Sequence, residues 1–209
     1  MSLLFAQQGV TQCGTPTGQP KFPIETYQEL PDPSSPSDKD WAAVTIPQIS
    51  WGTIDTRYAK HRLPQLKKQQ LTTLKGWRGE RVNAQAVVWT GTEVKDLNFS
   101  FTDFKDKKGN SLSDEAFKAG FIRYVMTDEL NKDGRGACGH RQAVDYDSLL
   151  VADPIDTNLK SMSVPARTVQ PIWVQCWIPQ SATPGTYKGA LLVKDGSRLL
   201  QQLNLEILV

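Results

Sequence analysis

The segment Gln170 to Gly196, QPIWVQCWIPQSATPGTYKGALLVKDG, restricts the fold more than any other part of the chain. Ile172, Val174, Cys176 and Ile178 alternate with Trp173, Gln175 and Trp177, the two-residue period of a β-strand with one apolar and one mixed face. Pro179 ends that strand. Pro184-Gly185 supplies a turn in which proline presets φ and glycine accepts a positive φ, and Tyr187 to Lys194 reads as the returning strand. Asp195-Gly196, lying between Leu191-Leu192-Val193 and Leu199-Leu200, marks a two-residue hairpin. The expectation is three antiparallel strands closing the chain, the last from Leu199 to Val209 with Leu203, Leu205, Ile207 and Val209 on one face.

Upstream, short strands recur with turn signals between them. Val44 to Ile54 reads as a first strand, which Pro47 assigns to an edge or a bulge because a missing N–H does no harm there. The basic segment Arg57 to Lys68, with His61, reads as a solvated connection. Leu71 to Leu74 and Glu80 to Thr90 read as a strand pair around the turn Gly76-Trp-Arg-Gly79, with Val82, Ala84, Ala86 and Val88 on one side. Leu97, Phe99 and Phe101 alternate with polar residues, and Asp106 to Asn110 is an exposed turn. Ser113 caps a helical turn. Phe121 to Met126 is a strand, Leu149 to Ala152 is a short one stopped by Asp153-Pro154, and a further strand falls near residues 163 to 168. Nine or ten short strands with almost no helix predict an all-β fold, an antiparallel β-sandwich with long loops. Val82, Phe99, Val174 and Leu205 are its expected core.

Residues 8 to 40 carry Pro16, Pro20, Pro23, Pro31, Pro33 and Pro36 among small polar residues, a composition that cannot bury enough surface to offset ordering. The expected organisation is therefore a lead-in over 1–40 and a sandwich domain over 41–209. The first residues, Met1-Ser-Leu-Leu-Phe-Ala, fit either the remnant of a secretory signal or a short unstructured end. Lys and Arg number 24 against 22 Asp and Glu, which leaves no net field to gather nucleic acid or anionic lipid. No apolar run approaches the roughly 20 residues of a membrane span. Cys13, Cys138 and Cys176 are too few and too scattered for a disulfide framework or a zinc site, and Cys176 is expected to be a buried thiol.

Candidate chemistry is sparse. Asp128 and Glu129 are adjacent acids, whereas most glycosidases separate two carboxylates across a sugar, and the pair reads as solvated surface charge. Cys138, His140 and Arg141 share a long glycine-bearing loop over 128–142, the kind of loop in which β scaffolds carry function. Two potential ligands do not hold a metal, and Cys-x-His spacing on one extended strand does not bring sulfur and imidazole together. No metal, cofactor or catalytic residue is expected. Trp173 and Trp177, four residues apart on one strand face, fit either a sugar-stacking platform or a domain interface.

The order of several segments resembles a known family. GWRGERVNAQAVVWTG at 76–91, FIRYVM and CGHR within 121–141, ADPID at 152–156 and ARTVQPIWVQCWIPQSATPGTYKGALLV at 166–193 are similar to the N-terminal β-sandwich of glycoside hydrolase family 123-like proteins. Members are secreted bacterial enzymes resembling β-N-acetylgalactosaminidases, in which a catalytic (β/α)8 barrel follows the sandwich and carries the acid pair. The resemblance therefore implies a non-catalytic accessory domain of a secreted or periplasmic glycan-degrading protein. Its partner would be a C-terminal barrel of the same polypeptide, and His140, Arg141, Trp173 and Trp177 are its candidate interdomain or carbohydrate contacts. A free-standing carbohydrate-binding module is the alternative. A self-contained hydrolase is the weakest reading, because no nucleophile, base and orienting group can be assembled.

Overall fold

A computed structural model describes residues 29–32, 34–127 and 149–209. After a one-turn helix α1 (Asp38–Trp41), the described residues form twelve strands: β1 (Gln48–Gly52), β2 (Leu71–Lys75), β3 (Arg81–Thr90), β4 (Val94–Phe101), β5 (Phe104–Lys105), β6 (Ser111–Leu112), β7 (Phe117–Thr127), β8 (Leu149–Asp156), β9 (Ser161–Val164), β10 (Thr168–Trp177), β11 (Thr186–Asp195) and β12 (Arg198–Leu208). One sheet has the order β1-β3-β10-β7-β8, and the other runs β2-β12-β11-β4-β9 with β5 and β6 attached beside β11. The alternation of each long strand turns its apolar row inward, so Val82, Ala84, Ala86, Val88, Phe121, Ile172, Val174 and Cys176 of the first sheet meet Leu97, Leu191, Val193, Leu203, Leu205 and Ile207 of the second. This is the expected sandwich. Each Val, Leu, Ile or Phe among them contributes about 1.5–3 kcal/mol on burial. Phe99 packs at the margin of this core, its ring 5.0 Å from that of Phe121. Cys176 is fully buried and unpaired, and burial pushes its thiol up to about 12.

Several strands pair differently from the sequence expectation. β10 does not pair with β11: residues 178–185 carry the chain from one sheet to the other, and β10 lies between β3 and β7. Gly185 keeps an ordinary φ and extends the β11–β12 ladder through reciprocal backbone bonds with Val209 at 3.2 and 2.9 Å. The hairpin at 195–198 forms, with Asp195 opposite Arg198 and Gly196 at φ 59°. β2 and β3 likewise fall in different sheets. β2 pairs parallel with β12, and the other ladders among the described residues are antiparallel. β8 is not stopped by Asp153-Pro154, because the register moves from Ile122↔Ile155 to Tyr124↔Ala152 and leaves the extra residue of a bulge at the proline, on an edge strand. An edge bulge tolerates the lost N–H.

Pro171 poses the opposite problem, since it lies in a central strand. The ladder that pairs Ile172 with Phe121 places Pro171 opposite Ile122, where proline has no N–H to give. The neighbouring Gln170 side chain, wholly buried, supplies the donor: its Nε2 bonds the Ile122 carbonyl at 2.9 Å and the Pro171 carbonyl at 2.9 Å. At the open side of the sandwich, the buried Trp51 on β1 donates its indole N–H to Asn204 O on β12 at 2.8 Å, which ties the two sheets together.

The outer face of the first sheet is also covered. Trp41 and Tyr58 pack on Val87, Trp89 and Val169, with Val44, Leu63 and Leu66 at the margin. The connection 57–68 is therefore only partly solvated. Glu29 docks against the same side: its carboxylate meets Lys60 Nζ at 2.7 Å, Arg123 Nε at 3.0 Å and the Tyr124 backbone N–H at 3.3 Å. Arg123 also reaches Asp156 at 3.4 Å. Burial on its own would raise the Glu29 carboxyl, but the hydrogen bonds and charges of Lys60 and Arg123 outweigh it and hold the group below the ordinary glutamate value.

Two measurements check these placements. Gln170→Leu keeps the volume but leaves the Ile122 carbonyl unpaired, so urea unfolding should show a loss of about 1–3 kcal/mol. Glu29→Gln removes a carboxylate whose folded pKa is lowered, and stability from such a group is present above the unfolded pKa and lost as pH falls through the folded one. The wild type should exceed the variant by about 2 kcal/mol at neutral pH, and the gap should close only below the ordinary glutamate range.

Candidate functional site

Three chain crossings gather at one end of the sandwich: the turn 76–80 from β2 to β3, the 3-10 turn Asp114–Ala116 before β7, and the 178–185 passage from β10 to β11. Backbone bonds lock the first and third together, from Gly79 N to Ile178 O at 2.8 Å and from Ile178 N to Glu80 O at 2.9 Å. Glu80 closes its own turn by accepting from the Trp77 N–H at 2.7 Å. Gly79 has φ +85°, and a Cβ there would collide with the Gln180 side-chain amide, so only glycine permits the turn and the packing of Gln180 across it. Ser113 caps the 3-10 turn through the Glu115 N–H at 3.3 Å.

Trp177 projects from the end of β10 into this corner. Its side chain is 54% exposed, its indole N–H is fixed on Gly79 O at 3.2 Å, and the Arg81 guanidinium lies 5.3 Å from its ring centroid. A cation over one ring face leaves the other for a ligand. A 340 Å³ cleft opens beside it, lined by Ser113, Glu115, Ala116, Trp177, Pro179 and Gln180. Trp77, 81% exposed, lies in the 76–80 turn whose Gly79 and Glu80 bond Ile178.

Trp173 shares the outward face of β10 but not this setting. It is half-buried, donates its indole N–H to Asn83 Oδ1 at 3.2 Å and packs against the cluster of Ile122, Tyr124, Leu150 and Ala152. Gln175, between the two tryptophans, bonds the same Asn83 oxygen at 3.3 Å. Opposite Trp173 in the ladder stands Gly120, and a smaller cleft of 170 Å³ with Lys118, Ile155 and Gln175 flanks the ring. The strand period that aligned the two tryptophans is real, yet one is locked into the sheet and the other is presented to solvent. His140 and Arg141, with Cys138 and the Asp128-Glu129 pair, lie outside the described residues. Trp77, Glu115 and Gln180 were not singled out from sequence. The available signal was a tryptophan between the two glycines of a tight turn, a place where a large apolar side chain has nothing to pack on.

The two packed sheets define an all-β sandwich domain. Residues 51–195 match the model of the glycoside hydrolase 123 N-terminal domain, and the chain belongs to that family. Among solved structures it is similar to a family 123 glycoside hydrolase from Clostridium perfringens, studied for glycolipid glycan hydrolysis, with a TM-score of 0.64 at 20% identity over 79% of this chain and 27% of that one. The chain thus spans about a quarter of that enzyme's length. A second similar structure, the N-terminal domain of PorA, has a TM-score of 0.35 at 9% identity, covering 77% of this chain and 96% of that one. No curated protein matches.

The two tryptophans should separate in a stability assay. Trp173→Ala should cost about 2–4 kcal/mol, for lost packing and an unpaired Asn83 acceptor. Trp177→Ala should stay within about 1 kcal/mol, because its ring is mostly in water. Chemical denaturation of both variants beside the wild type checks this.

Proposed function

We propose that this chain is the non-catalytic, accessory N-terminal sandwich of an exported family 123 glycoside hydrolase, secreted or periplasmic, which buttresses a catalytic barrel carried on the same polypeptide during glycan degradation. The observation that carries this reading is the family match over residues 51–195. The 27% coverage of the clostridial enzyme, in which this fold forms one part of a longer chain, supports it further. The solvent-facing Trp77 and Trp177 suit a contact made outside the sandwich, since large exposed aromatics concentrated at one end mark a recognition surface.

Turnover decides the matter. The purified chain should release no chromophore from a chromogenic N-acetyl-β-galactosaminide, whereas a polypeptide that joins it to a family 123 catalytic barrel should be active and more heat-stable than the barrel alone. Turnover by the isolated chain that disappears in an Asp128→Asn, Glu129→Gln double variant would overturn the accessory reading and make those adjacent acids catalytic.

A further inference from the structure

We infer that the corner formed by Trp177, Ser113, Glu115 and Gln180 is a saccharide-binding subsite, which takes a single pyranose ring against the free face of Trp177. A pyranose has an apolar C–H face and a rim of hydroxyls, so its recognition calls for a rigid aromatic platform with hydrogen-bonding groups at the edge. The platform is rigid because the indole N–H is committed to Gly79 O and Arg81 covers the rear of the ring. At the rim, Glu115 and Gln180 line the cleft, and their side chains make no hydrogen bond to another described residue. Ser113 Oγ accepts from the Glu115 N–H, which leaves its hydroxyl proton for a ligand oxygen.

The dimensions agree with one ring. At 340 Å³ the cleft stands at the small end of ligand sites, about 300–1,000 Å³. A carboxylate, an amide and a hydroxyl beside one tryptophan form a mixed wall. A protein-docking patch would instead place depleted charge around its buried aromatic. The second cleft on the same sheet face, beside Trp173, is half this volume, and its indole is half-buried against the Ile122–Ala152 cluster and bonded to Asn83.

The inference rests on the glycan-processing reading only for the choice of probes, and its test does not use turnover. The 15N-labelled chain would be titrated with galactose, N-acetylgalactosamine and glucose while the indole N–H signals and the Gln180 side-chain amide are followed by NMR. At least one sugar should displace the Trp177 and Gln180 signals saturably, with a dissociation constant of about 1 mM, as expected for a ligand this small. Trp177→Ala should weaken binding roughly tenfold or more, Trp177→Phe should retain part of it, and Gln180→Ala should weaken it without moving the midpoint of unfolding. The inference fails if no sugar gives a saturable response at tens of millimolar, or if Trp177→Ala binds as the wild type does. It also fails if the corner signals shift with protein concentration alone, which would mark the corner as a contact between copies. An inactive isolated chain leaves this titration unaffected, so the two readings fail separately.

Discussion

A central β-strand that contains a proline has to find a replacement for the N–H it lacks, and that requirement governs the middle of this molecule. β10 lies between β3 and β7, and Pro171 would leave the Ile122 carbonyl unpaired in a site closed to water. A buried polar group without a partner costs as much as a substantial part of a domain's net stability. Gln170 meets the need from the adjacent position, bonding Ile122 O and Pro171 O with one amide. Gln170 stands on the same inward row as Ile172, Val174 and Cys176, opposite Val88 of β3, so both bonds also keep its buried amide nitrogen from lying unpaired beside that apolar row. The Gln-Pro pair thus works as a unit.

The period of two was legible along nearly every strand, and with it which residues face the core. Val82, Val174, Cys176 and Leu205 are buried as their alternation required. What alternation cannot encode is the neighbour. A strand with one greasy face is equally satisfied by a hairpin partner in its own sheet and by a crossing to the facing sheet, because both bury the same row. Hence the turns at 76–79 and 178–185, read as hairpin connections, prove to be crossings between layers, and β2 pairs parallel with a strand more than a hundred residues away in sequence. The hairpin at 195–198 was legible because its two-residue turn leaves the chain no length to cross. Similarly, the charged stretch 57–68 looked solvated, since its buried members, Tyr58 and the flanks of Leu63 and Leu66, are isolated among lysines and arginines and show no period.

The site was legible only in part, for a related reason. Spacing placed Trp173 and Trp177 on one face, and the structure keeps them there. Their environments diverge because β10 has different neighbours along its length. At Trp173, β7 continues alongside and Gly120 opposite leaves room for the ring to lie down on the sheet. At Trp177 the β7 ladder has ended one residue earlier, at Cys176 opposite Phe117, so the indole projects past the sheet margin. Exposure at Trp177 therefore follows from where a neighbouring strand stops, a tertiary property that a single strand's sequence does not contain.

The end of the sandwich that bears Trp177 is held by a backbone clamp between the 76–80 and 178–185 crossings and by a glycine that admits Gln180 across the turn. Elements stiffened in this way hold side chains in place without drawing on the core, and preorganisation of that sort is what allows a shallow surface to bind with a few groups. It would serve equally to present Trp177 to a sugar or to a neighbouring domain. The unpaired carboxylate and amide beside the ring distinguish the two uses. A domain interface that buried Glu115 and Gln180 would have to provide each with a partner or lose their hydration at full cost. A saccharide brings its own hydroxyls to both. The chemistry at the rim, rather than the exposure of the tryptophan, is therefore what favours a glycan at this corner.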